Sequence, residues 1–88
     1  MSKSYLEVTY RQGKPFAAYL YLDRRTGDKS ARTERHGHWL VDFAADGRPI
    51  GVEFTNVRAI DLCELNRVLI AGKQAPLSDV DLAPLTAA

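Results

Sequence analysis

Residues 39–54 read Trp39-Leu40-Val41-Asp42-Phe43-Ala44-Ala45-Asp46-Gly47-Arg48-Pro49-Ile50-Gly51-Val52-Glu53-Phe54. Apolar and polar positions alternate on either side of Asp46-Gly47, which is the pattern of a β-hairpin. A two-residue turn at Asp46-Gly47 sets Phe43 opposite Ile50, Val41 opposite Val52 and Trp39 opposite Phe54, all on one face. The other face pairs Asp42 with Gly51 and Leu40 with Glu53. The first set is a core, and the second is where exposed chemistry has to sit.

Working outward toward the N-terminus, Leu6, Val8 and Tyr10 alternate with Glu7 and Thr9 up to the turn signal Arg11-Gln12-Gly13-Lys14. Phe16, Ala18, Leu20 and Leu22 then alternate with Ala17, Tyr19 and Tyr21. A two-residue turn at Gln12-Gly13 would set Val8 opposite Ala17 and expose Leu20. A three-residue loop sets Tyr10 opposite Phe16, Val8 opposite Ala18 and Leu6 opposite Leu20, which gathers the apolar set on one face, so the longer loop is expected. After the polar segment from Asp23 to Ser30, a long strand is expected from about Arg32 to Phe43, with Gly37 marking a bend or bulge.

Working outward toward the C-terminus, Asp61-Leu62-Cys63-Glu64 has the form of a capping box and Gly72 stands where a C′ glycine belongs. Leu62, Leu65 and Leu69 share one stripe, widened by Cys63 and Ile70, while Glu64 and Arg67 lie opposite. Ser78-Asp79-Val80-Asp81 repeats a weaker capping signal ahead of Pro84, which predicts a short second helical turn. The expected fold is α+β: a four-stranded antiparallel β-meander in sequence order, with a C-terminal helix packed on one face. The expected limits are one domain over 1–88, with a sheet over 4–56, a helix over about 61–72 and a short helical turn or tail over 73–88. The core is expected to hold Leu6, Val8, Phe16, Ala18, Leu20, Leu22, Trp39, Val41, Phe43, Ile50, Val52 and Phe54, capped by Leu62, Leu65 and Leu69.

Composition narrows the function classes. Of 88 residues, 45% are apolar and 26% charged, with a net charge of +1, so charge implies no strong partner preference. Cys63 is the only cysteine, which rules out an intramolecular disulfide. No apolar run approaches the ~18 residues of a membrane span, and the N-terminus lacks the apolar stretch of a secretory signal. A cytoplasmic protein with no membrane association and no cofactor is expected.

Four groups of residues are candidates for chemistry. His36 and His38, two apart on an extended segment, share a face with Glu34 and Asp42, and His-x-His with a carboxylate is one form of a catalytic metal centre; structural sites need four donors, and two are named here. Asp42 and Glu53 lie one rung apart on the outer face, where they could act as an acid and base pair, although an open sheet face does not shift carboxylate pKa values for that task. Arg24, Arg25, Lys29, Arg32 and Arg35, with Tyr19 and Tyr21 nearby, could neutralise phosphates and stack on bases, but Asp23, Asp28 and Glu34 are interleaved with them. Finally, Tyr5, Tyr19, Tyr21 and Leu40 project from the face opposite the core. They are covered either by a protein partner, which could be a second copy, or by residues 73–85 folding back.

Tyr19, Leu20 and Leu22, followed by Asp42, Phe43, Asp46, Gly47, Gly51, Val52 and Glu53, carry a resemblance. Over about residues 8 to 55 the chain resembles the small prokaryotic domain-of-unknown-function 2283 family. That family reads as a strand of Leu-Tyr-Ile-Arg-Leu character followed by an Asp-Tyr-Asp, Asp-Gly, Gly-Ile-Glu hairpin. Two acidic positions usual in the family are Phe16 and Ala44 here, which leaves Asp42 and Glu53 of any shared acidic cluster. The resemblance implies a bacterial protein and brings no established activity. Members that look like this are sometimes encoded beside small toxin-like proteins, so it implies an antitoxin-like partner role by analogy. The expected function is a small non-catalytic protein-interaction module that forms a homodimer. Nucleic-acid binding through the Arg24 to Arg35 segment and a metal-dependent enzyme at His36 and His38 are the alternatives.

Overall fold

The structure, a computed structural model, describes residues 4–86; residues 1–3 and 87–88, inside the expected domain limits, lie outside the described residues. The elements in chain order are β1 (Tyr5–Arg11), β2 (Lys14–Tyr21), β3 (Arg32–His36), β4 (Trp39–Phe43), β5 (Pro49–Phe54), α1 (Leu62–Ala71) and α2 (Ala83–Thr86). The class is α+β, as expected, but the sheet has five strands in the order β1-β2-β5-β4-β3 and is not a four-stranded meander. Two local facts account for the difference. Gly37 takes φ 64 as the first residue of a two-residue turn between His36 and Trp39, so the expected long strand is two strands. The segment after Leu22 then crosses the ends of β5 and β4 to reach the far edge, leaving β2 beside β5 in a Greek-key order.

The crossing segment is pinned at both ends. Leu22 donates its N–H to the Ile50 carbonyl at 3.2 Å and Ala31 donates to the Phe43 carbonyl at 2.8 Å. Between them Arg48 bonds Asp28 at 2.7 Å and Asp46 at 2.7 Å, which clips the crossing loop to the β4–β5 turn. The hydrogen bonds from the Arg48 guanidinium hold both carboxyls below the usual aspartate range.

Both hairpins keep the expected central pairs and differ at their loops. Leu6 faces Leu20 and Val8 faces Ala18, but Tyr10 faces Pro15, because the turn has two residues, Gln12 and Gly13, and Phe16 is an extra residue on β2. Trp39 faces Phe54 and Val41 faces Val52, but Phe43 faces Pro49 and not Ile50. There the loop has three residues and ends on Gly47 at φ 91, with Ile50 as the extra residue on β5. Phe16, expected in the core, is consequently 49% exposed, with the Arg11 guanidinium 4.2 Å over its ring. Ile50 is fully buried at its bulge.

α1 starts where the capping box predicts, with Asp61 Oδ1 accepting from the Glu64 N–H at 3.1 Å. It ends differently from the expectation. Gly72 has φ −89 and packs against Pro49, where a Cβ would collide with the ring, and the left-handed C′ residue is Lys73 at φ 64. The Gln74 N–H reaches the Leu69 carbonyl at 2.8 Å and the Lys73 N–H that of Ile70 at 3.0 Å, the two bonds of a Schellman cap. Leu65 and Leu69 are fully buried, whereas Cys63 and Ile70 are exposed; the stripe widens through Val68 on its other flank.

The tail returns over the same face as α1. Asn66 holds Leu77 through two hydrogen bonds, to its carbonyl at 2.9 Å and from its N–H at 2.8 Å. Leu82 and Leu85 then join one core with Ala18, Leu20, Leu22, Val41, Val52 and Phe54. The expected second helical turn falls later than its capping signal: residues 79–82 form turns and α2 carries Pro84 within its first turn. No helix among the described residues is long and apolar enough to cross a membrane.

Candidate functional site

With both helices on one side, the opposite face of the sheet is left uncovered by the described residues. The competing expectation, residues 73–85 folding over it, is overturned, since Leu77, Leu82 and Leu85 pack into the core. Strand alternation places Tyr5, Tyr19, Tyr21 and Leu40 together on the open face, as expected. The Tyr5 and Tyr21 rings stack with centroids 4.5 Å apart, and the Tyr19 ring lies tilted against Tyr21 at 4.7 Å. Arg24 sits 5.6 Å above the Tyr21 ring.

Beneath the tyrosines runs a hydrogen-bonded tie across four strands. The Tyr19 hydroxyl, on β2, reaches over Gly51 of β5 and donates to Asp42 Oδ2 of β4 at 2.6 Å. The other carboxylate oxygen accepts from the Thr33 hydroxyl of β3 at 2.5 Å. Arg24 completes it, donating to the Ile50 carbonyl at 3.2 Å and to the Tyr19 oxygen at 3.4 Å. A Cβ at position 51 would occupy the space of the Tyr19 hydroxyl, so any larger residue there has to displace the Tyr19 ring. Burial first, and then the bond to Asp42, push the Tyr19 hydroxyl well above the ordinary tyrosine pKa. The charge of Glu7, more than burial, raises Tyr21.

This geometry redistributes the other candidates. Asp42 has both oxygens engaged as acceptors within the fold, while Glu53 is exposed opposite Leu40, so the two carboxylates do not form a paired site. Glu34 and His36 share the core side of β3 and bond each other at 3.3 Å, whereas Asp42 lies on the outer side and His38 in the turn. The expected shared face of Glu34, His36, His38 and Asp42 is therefore split by the turn at Gly37. Among the described residues no group of three or more His, Cys, Asp or Glu is placed to hold a metal ion.

The five cations are divided as well. Arg32 turns to the core side, 4.3 Å over the Phe43 ring and 2.8 Å from Glu34, and Arg35 points to the outer face and donates to the Gly37 carbonyl at 3.3 Å. Arg24 belongs to the tyrosine tie, leaving Arg25 and Lys29 on the exposed crossing loop.

Three features escaped the sequence reading. Thr33 and Arg24 as partners of the tie depend on strand order, which no local pattern reveals. Arg48 as the clip is signalled only by its place two residues after Asp46. An open cleft of about 420 Å³ lies at the other end of the sheet, lined by His36, His38, Trp39, Asp61 and Glu64 among others. Trp39 has its indole nitrogen buried with no hydrogen-bond partner among the described residues. Comparison with protein-family models, with curated proteins and with solved structures finds no match for this chain.

Proposed function

We propose that this protein is a non-catalytic protein-interaction module whose docking surface is the open sheet face around Tyr5, Tyr19, Tyr21 and Leu40. The observation that carries the reading is the one-sided distribution of cover: both helices and the tail pack on one face and leave Tyr5 stacked on Tyr21, with Tyr19 tilted against Tyr21, on the other. Tyrosines suit such a role because a ring and a hydroxyl supply contact area and direction together. Their stacking, with the tie beneath, also fixes the surface before a partner arrives, which lowers the entropy lost on binding. By the family resemblance, the partner class is a small toxin-like protein, bound in an antitoxin-like manner.

The test is capture from nuclease-treated cell lysate on tagged wild-type protein and on a Tyr5→Ala/Tyr21→Ala variant that circular dichroism shows to be folded. The expected result is a stoichiometric protein retained by the wild type and lost by the variant. Equal retention by both overturns the assignment of the face. Recovery only before nuclease treatment, with affinity falling steeply in salt, would overturn it in favour of nucleic acid on the loop carrying Arg24, Arg25 and Lys29.

A further inference from the structure

The free backbone edges of the sheet are unequally protected. β3 has five residues and turns Arg32, Glu34 and His36 toward the core side, opposite Phe43, Val41 and Trp39; shortness and inward charge are two devices that block strand addition. Residues 14–17 of β2 extend past the end of β5 and carry Pro15 and the bulge at Phe16, two more such devices. β1 has none of these. It runs for seven residues without proline, and its core side shows Leu6, Val8 and Tyr10. Apolar exposure collects on this hairpin too, with Tyr5 59%, Tyr10 58% and Phe16 49% exposed.

The chemistry of β1 fits a second copy of itself. A two-fold axis perpendicular to the sheet keeps like faces on the same side, so antiparallel pairing of β1 with β1 must be centred on a residue. Centring on Glu7 sets two carboxylates against each other. Centring on Thr9 sets Glu7 opposite Arg11 of the other copy, twice by symmetry, with Val8 opposite Tyr10 and threonine opposite threonine. All three kinds of pair are favourable across strands.

We infer that the chain forms a two-fold dimer through β1, centred on Thr9, with Glu7 and Arg11 paired across the interface. The two sheets become one, and the two tyrosine faces lie side by side on a single surface. The inference stands on the edge and not on the docking role of the tyrosine face, which it would make bivalent.

The experiment is sedimentation velocity over a concentration series, with circular dichroism confirming that each variant is folded. The wild type is expected to dimerise. Arg11→Glu, which opposes carboxylates at two rungs, is expected to weaken the dimer by about tenfold or more, and Glu7→Arg/Arg11→Glu to restore it. A wild type that stays monomeric throughout, or a dimer indifferent to Arg11→Glu, overturns the inference. Failure of the docking role reads differently: lysate capture would be unchanged by Tyr5→Ala/Tyr21→Ala, positions that lie outside the Glu7 to Arg11 rungs of the dimer.

Discussion

The two faces of the sheet are built from alternate residues of the same strands, yet they are held in order by different forces. On the inner face Val41, Val52 and Phe54 are fully buried with Leu65 and Leu69, and no polar residue among those described is buried with them. On the outer face Asp42 collects hydrogen bonds from Tyr19 and Thr33, and three tyrosine rings pack against one another in partial contact with water, Tyr5 stacked on Tyr21 and Tyr19 tilted against it. The inner face gains by excluding water, in rough proportion to area. The outer face gains from directional bonds that are individually modest, about 1 kcal/mol each where water competes. A surface ordered by direction keeps its shape without being covered. That is what a docking face requires, and it explains how one small sheet supports a core and a candidate site at once.

The sharpest way to break the comparison is to truncate neighbours on opposite faces of β5. Phe54→Ala is expected to cost about 3–5 kcal/mol, the transfer free energy of the ring plus the cavity it leaves. Glu53→Ala, one residue away and exposed, is expected to fall within about 0.5 kcal/mol of the wild type. Urea unfolding of both measures the contrast, and Val52→Ala replaces the first variant if that chain does not fold. Similar costs at the two positions would mean that the faces do not divide the stability in this way.

A smaller effect tests whether Tyr19 truly lies over Gly51. Gly51→Ala places a methyl where the Tyr19 hydroxyl sits, so the ring has to swing away from Asp42. The expected cost is about 1–3 kcal/mol, the range for leaving a partly buried bond to a charged group unmade. In a Tyr19→Ala background the same substitution should be neutral or slightly stabilising, since alanine outperforms glycine in a strand by up to about 1 kcal/mol. A double-mutant cycle by chemical denaturation reads the coupling. Additive costs would remove the contact.

How much of this was legible in the sequence follows from which choices are made many times over. The pairs Trp39 with Phe54, Val41 with Val52, Val8 with Ala18 and Leu6 with Leu20 are each supported by a whole strand of alternating residues, and all four stand. The loops rest on two or three residues, and each differs from the expected length by one, in opposite senses. The Gln12-Gly13 turn is shorter than expected and the loop ending at Gly47 longer, and the extra residues Phe16 and Ile50 restore the register each time. Burial fixes the faces, so the backbone absorbs the mismatch as a bulge. The apolar pattern resumes beyond Gly37, which suggests a bend or bulge within one strand, whereas its positive φ makes a turn between two. Of the candidate site, the shared face of Tyr5, Tyr19, Tyr21 and Leu40 followed from alternation alone. The tie through Thr33 and Arg24 did not, because it depends on β2 lying beside β5, a non-local pairing set by the path of the crossing loop.

The smallest expected effect isolates the hydroxyl that joins the tyrosine face to the strands beneath it. Tyr19→Phe keeps the ring over Gly51 and deletes only the donor to Asp42, so near neutral pH it should cost about 1 kcal/mol, reduced from the buried value by partial exposure. Its pH dependence carries the sharper signature. The folded chain holds the Tyr19 proton above the ordinary value of 10.0, because burial and the Asp42 carboxylate both disfavour the phenolate. A group whose folded pKa is raised contributes its full stability below the unfolded value and loses it as pH rises toward the folded one. The wild type should therefore lose stability above pH 10 more steeply than Tyr19→Phe, so that the two denaturation curves converge. A gap between wild type and variant that stays constant through the alkaline range would show that the Tyr19 hydroxyl is not held by Asp42, and with it would go the claim that the open face is ordered by direction before any partner binds.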